Sequence, residues 1–190
     1  MPLKANKQET ALYQLKVTLR GLKPPVWRRI LITGNTKLNR LHDILQIAMG
    51  WTNSHLHMFT IGKIHYSRPH PDDEIELENE MRFNLDKFQF REKDKFLYEY
   101  DFGDSWEHEI LIEKILTPDP QARYPFCLDG KRACPPEDVG GIGGYENFLE
   151  AIMDPLNPEH EETLVWAGED FQPEFFDKDK VNKRLNMFFR

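Results

Sequence analysis

The sequence predicts one α+β domain, with mainly antiparallel strands in the first two thirds and helices packed on them from the last third. Three observations carry that prediction. Period-two alternation of apolar and polar residues marks the early segments, and helical spacing marks the segments after residue 145. No repeating β-α unit, internal repeat or linker interrupts them. The chain has 190 residues, enough for one good core, and thirteen Phe with four Trp supply the area to fill it. Residues 1–190 are therefore read as a single domain, with an ordered core over about 11–189.

The elements follow in chain order as β-β-α-β-β…β-β, then helices. Tyr13–Leu19 alternates strictly, and Val26–Ile32 is β-branched and apolar, so the two form a strand pair across the turn chemistry of Gly21–Pro25. Leu38, Leu41, Ile44, Leu45 and Ala48 keep helical spacing, with Thr36 as the expected N-cap and Gly50 as the stop. Met58–Ile61 and Ile64–Tyr66 read as a hairpin, and the acidic, proline-bearing stretch 68–82 as a flexible exposed loop. Phe96–Phe102 and His108–Ile115 read as a second hairpin with a longer loop between them. A proline-rich connection spans Pro118–Pro136. Short helices are expected over Tyr145–Met153 and Glu159–Trp166, then a last one presenting Val181, Leu185, Phe188 and Phe189 after Asp177 or Asp179.

Composition excludes several classes. No run approaches the roughly 20 apolar residues of a membrane helix. The opening MPLKANKQET lacks an apolar region and is not read as a secretory signal. Two cysteines, Cys127 and Cys134, are too few for a disulfide scaffold, so a cytoplasmic chain with reduced thiols is expected. The net charge of −7 argues against a general nucleic-acid binder. Its distribution is uneven, however. Arg20–Arg40 holds six basic residues and no acidic one, whereas Glu137–Asp179 holds thirteen acidic residues and one lysine. Either the segments solvate two surfaces or they steer a partner.

Several motifs could carry chemistry. His55 and His57 lie two apart, and on a strand both rings would project on one face, where they could clasp a metal ion. Asp101, Asp104, Trp106 and His108 crowd one loop between aromatic-rich strands, where binding groups tend to sit. Asp104 and His108 could complete a metal site with His55 and His57, and Asp101 could orient a ring. The structural alternative is an Asx-turn built on Asp104 with Trp106 closing the core beneath it. Asp-Phe-Gly at 101–103 is not a kinase motif, because the accompanying lysine and catalytic loop are absent. Glu137 and Asp138 precede four glycines and a helix; they could bind a ligand or serve acid–base chemistry, while a tight turn is the simpler account. The Cys127–Cys134 spacing would need two further ligands to hold zinc. Trp27, Arg28 and Arg29 could form a small basic strip for nucleic acid.

The motifs PPVWRRI (24–30), LHDILQIAMGW (41–51), HLHMF (55–59), YDFGDSWEHEI (100–110), CLDGKRACPPEDVGG (127–141) and FQPEFFD (171–177) stand in one order along the chain. Together they closely resemble the plasmid pRiA4b ORF-3-like family, over about Tyr13–Phe189. The resemblance implies a compact α+β fold and an association with plasmids or mobile elements. It supplies no reaction and no catalytic residue. Two function classes remain. One is a binding or adaptor domain for a protein or nucleic-acid partner, drawing on Asp101, Asp104, Trp106, Glu137 and Asp138. The alternative is a metal-dependent, hydrolase-like enzyme holding a divalent ion on His55, His57, Asp104 and His108.

Overall fold

Alternation along Leu12–Leu19 buries Tyr13, Leu15, Val17 and Leu19 on one side, and that segment is strand β1. The computed structural model describes residues 10–70, 75–168 and 171–189. In it β1 pairs antiparallel with β2 (Trp27–Thr33), placing Leu15 beside Ile30 and Val17 beside Arg28. Helix α1 (Leu38–Met49) follows and buries Leu41, Ile44, Leu45 and Ala48. It stops where Gly50 takes a left-handed φ of 107°, its N–H donating to the Gln46 carbonyl. Its N-cap is Lys37 rather than Thr36, and no side chain caps it. The Thr36 carbonyl instead accepts from the Leu85 amide, which draws that residue into a neighbouring segment.

Strands β3 (His57–Ile61) and β4 (Ile64–Ser67) form the expected hairpin. Part of the expected 68–82 loop, residues 71–74, lies outside the described residues. Further along, Glu78–Asn79 (β5) pairs parallel with β4 and a tight helical turn covers Glu80–Arg82. Strands β6 (Lys95–Tyr100) and β7 (Trp106–Leu116) are the second hairpin. An eighth strand, β8 (Phe126–Lys131), emerges inside the proline-rich connection and pairs with β2. Helices α2 (Gly141–Met153), α3 (His160–Ala167) and α4 (Lys178–Phe188) close the chain, α4 capped by Asp177 as expected.

Among the described residues eight strands join one sheet in the order β5-β4-β3-β6-β7-β1-β2-β8, antiparallel except at β4–β5. The fold is α+β. One face carries the core: Phe59, Tyr98, Trp106, Ile110, Leu15 and Ile30 pack there with α1. The opposite face is laced with ion pairs, among them Arg29–Glu113 at 2.6 Å and Lys95–Glu109 at 2.9 Å. Three of the clustered basic residues are spent in such pairs, since Arg20 meets Glu107 and Arg40 meets Asp43. Arg28 points into the core, where it donates to the carbonyls of Ala48, Trp27 and Lys131 and lies over the Phe176 ring. Arg28 and Arg29 thus face opposite sides of the sheet; Arg28 leaves the basic strip, while Arg29 stays over the Trp27 ring at 5.0 Å, beside Lys16 at 5.4 Å. Among the described residues no helix is long and apolar enough to cross a membrane.

Candidate functional site

Sheet register decides where each histidine goes. Across β3, β6 and β7, His57 lies beside Tyr100 and Tyr100 beside Trp106; in the next row Phe59, Tyr98 and His108 are neighbours. His108 is therefore mid-sheet and fully buried, with Nδ1 3.3 Å from the Tyr98 carbonyl and the Trp51 ring edge-on at 5.3 Å. Burial lowers its pKa to about 4, so it is a neutral core residue whose Nε2 has no partner. Trp106, also fully buried, closes the core below the 101–105 loop.

Asp104 serves that loop's attachment to α2. Its Oδ2 accepts the Gly140 amide at 3.1 Å, just where α2 begins and its dipole favours negative charge. A Cβ on Gly141 would come within 2.7 Å of the Asp104 carbonyl, so the glycine run allows this close approach. A carboxylate thus sits where an anion would otherwise bind. Glu137 is likewise engaged: it accepts from the Tyr100 hydroxyl at 2.5 Å and from the Thr52 amide and hydroxyl. The Tyr100 oxygen also accepts from the amides of Ser54 and His55, so one buried phenol ties three segments together. Burial and the Glu137 contact raise its pKa.

His55 precedes β3 in a loop, and His57 is the strand's first residue. The two rings do not meet the same partners. His57 places Nε2 2.8 Å from the buried Glu80 carboxylate and stacks on His42 at 3.5 Å and 9°. His42, on α1, has Nδ1 2.8 Å from the Tyr98 hydroxyl and Nε2 2.7 Å from Asn53 Oδ1. Asn53 Oδ1 can only accept, so in the neutral ring the proton sits on Nε2 and Nδ1 accepts from the Tyr98 hydroxyl, to which Gln46 in turn donates. Burial and the neighbouring His57 push the His42 pKa down to about 3, consistent with this neutral tautomer.

His55 instead turns toward Asp138 and Asp101. Its Nε2 is 3.0 Å from Asp138 Oδ1 and 3.6 Å from Asp101 Oδ2. Among the described residues these three form the group whose ligand-type atoms all lie within 4.8 Å of one another. His55 is thus gathered with Asp101 and Asp138 rather than with His57, Asp104 and His108. The Cys127 and Cys134 thiols are free, and burial pushes their pKa values up to about 11 and 12, so both are protonated thiols at neutral pH.

Beside this cluster opens a cleft of about 620 Å³ between α1, β3 and the segments after β4. Leu56 at 72% exposure, Phe102 at 50% and Ile75 at 51% give it an apolar rim. Its polar lining includes Asn39, Asp43, Asn53, His57 and Glu80, with Arg68 exposed at the lip. Asp43 gives one oxygen to Arg40 at 2.9 Å, and burial raises its pKa while Arg40 opposes that rise. Among the described residues, Asn39 Oδ1 is buried and accepts no hydrogen bond. A depression of similar volume near α4, lined by Arg123, Tyr124 and Phe189, contains no comparable convergence of polar groups. The sequence pointed to neither Asn39 nor His42 nor Glu80. The first two were hidden within a helical apolar pattern, and Glu80 within an acidic loop.

Residues 11–180 match the sequence profile described as plasmid pRiA4b ORF-3-like protein. The chain belongs to that family. An uncharacterized protein, y4hQ of Sinorhizobium fredii (strain NBRC 101917 / NGR234), is 38% identical over 178 residues, covering 93% of this chain and 91% of the relative. A crystal structure of a protein of unknown function, MM3350 of Methanosarcina mazei Go1, superposes with a TM-score of 0.83 at 36% identity. The match covers 90% of this chain and 98% of that one. These pRiA4b ORF-3-like relatives share the fold and bring no activity with them.

Proposed function

We propose that this protein is a binding domain whose cleft captures a small molecule with an apolar body and a hydrogen-bond-donating, amine-type head. One observation carries the reading. Asn39 Oδ1 is a buried acceptor without a hydrogen-bond partner among the described residues, on a side chain that lines an open cleft. A buried polar group left unpaired costs about 1–3 kcal/mol. In a sealed core that cost is permanent, whereas in a cleft a ligand donor can relieve it. Asp43 lies one helical turn on, at i+4, and is acidic, so both groups favour a donor over an acceptor. The exposed Leu56, Ile75 and Phe102 side chains supply apolar contact for the ligand body.

The test uses benzylamine against benzyl alcohol and benzoate, by calorimetry or ligand-observed NMR. Benzylamine is expected to bind best and benzoate worst, and Asn39→Leu to weaken benzylamine by roughly tenfold or more. Equal binding of the three compounds, or amine binding untouched by Asn39→Leu, would overturn the reading.

A further inference from the structure

We propose that His55, Asp101 and Asp138 form a site for one divalent transition-metal ion at the mouth of the cleft. It goes beyond the amine-binding reading and shares only His55 with the cleft lining.

The geometry suits a shared ion better than a hydrogen bond. The His55 ring is 29% exposed, but Nε2 itself is sealed from solvent and makes no hydrogen bond. Asp138 Oδ1 stands 3.0 Å away, close enough for such a bond yet out of line for it. Asp101 Oδ2 stands at 3.6 Å, beyond hydrogen-bond range. Donor atoms on metal bonds of 2.0–2.2 Å in a tetrahedral shell lie about 3.3–3.6 Å apart and off the ring-nitrogen axis. The two separations bracket that spacing.

The surrounding contacts fit the same role. Asp101 is buried, and its other oxygen, Oδ1, accepts the amides of Gly103 at 3.0 Å and Asp104 at 3.4 Å. One oxygen is thereby held by the backbone while Oδ2 is left to face His55, the arrangement that orients a monodentate carboxylate ligand. The Asp101 amide donates to the Leu56 carbonyl at 2.9 Å, locking the 101–105 loop to the residue after His55. One imidazole and two carboxylates suit zinc or manganese rather than a thiolate-seeking ion. Three protein ligands leave positions for water or for a donor atom of whatever occupies the cleft.

Full-length protein stripped with chelator would be titrated with ZnCl₂ and, separately, MnCl₂ at pH 7.5 by calorimetry. One ion per chain is expected for at least one of the two metals. Asp138→Asn is suited to the test because that side chain is 72% exposed and Asn tolerates its left-handed backbone, φ 61°. It should weaken the ion by roughly tenfold or more, and His55→Ala should abolish uptake, whereas His57→Gln should leave it intact. Failure to take up either ion, or uptake unchanged in Asp138→Asn, would overturn the proposal. Benzylamine titration of the metal-free Asp138→Asn protein keeps the two readings apart: unimpaired amine binding alongside lost metal assigns the loss to this site alone.

Discussion

The sheet centre and the start of β3 both bury polar atoms that make no hydrogen bond, with different consequences. In the middle of the sheet, His108 Nε2 and Trp106 Nε1 are buried without partners and enclosed by the core. At the start of β3, Asn39 Oδ1 and His55 Nε2 are also buried without a hydrogen bond among the described residues, but both residues line an open cleft. An unpaired polar atom in the core is a cost that good packing offsets. One at a cleft is a vacancy an incoming group can fill. Histidine content alone therefore says little about a site; what each ring can be reached by says more.

That contrast can be broken by substitution, and the core end should respond most. Trp106→Ala removes the largest fully buried side chain and is expected to cost about 3–5 kcal/mol in urea unfolding. A loss below about 1 kcal/mol would mean that the sheet centre is not the core.

The pH response comes next. His108 titrates near 4 when folded and His42 near 3, against an ordinary value of 6.5. Because the unfolded chain takes up these protons first, stability is fully present above about pH 6.5 and falls as the pH drops toward 4. His108 alone contributes on the order of 3 kcal/mol to that fall. Unfolding midpoints at several pH values should show the decline, and His108→Leu should flatten it. A variant as pH-sensitive as the parent would place the proton uptake elsewhere.

Glu137→Ala, which frees the Tyr100 and Thr52 contacts that hold the cleft's loops, is expected to cost about 2 kcal/mol. The smallest effect is the most diagnostic. Asn39→Leu should change stability by less than about 1 kcal/mol, in the stabilising direction, because it deletes an unpaired buried acceptor while lowering amine affinity. Clear destabilisation would show that Asn39 is part of the packing.

The sequence made the strand pairs, α1 and α4 legible because their side-chain periods match their burial. β8 escaped for three physical reasons. It lies among prolines, Gly130 sits within it, and a register shift between Arg29 and Ile30 disturbs its alternation. Gly130 is there because a Cβ would come within 2.5 Å of Phe176. α2 begins at Gly141, four residues before Tyr145, since glycines with poor helix propensity are retained for the close approach to Asp104. His108 was readable in principle: it shares parity with the buried Trp106, Ile110 and Ile112 on one strand. The meeting of His55, Asp101 and Asp138 was not readable, because it depends on how three loops fold together.

The cleft at the start of β3 is open for binding while the sheet centre is closed. Titrating ¹⁵N-labelled protein with benzylamine tests it most directly. Amide shifts are expected to concentrate at Asn39, Asp43, Asn53, Leu56 and Phe102, with Trp106 and His108 still. Shifts scattered over the surface, or none at the cleft at saturating amine, would contradict it.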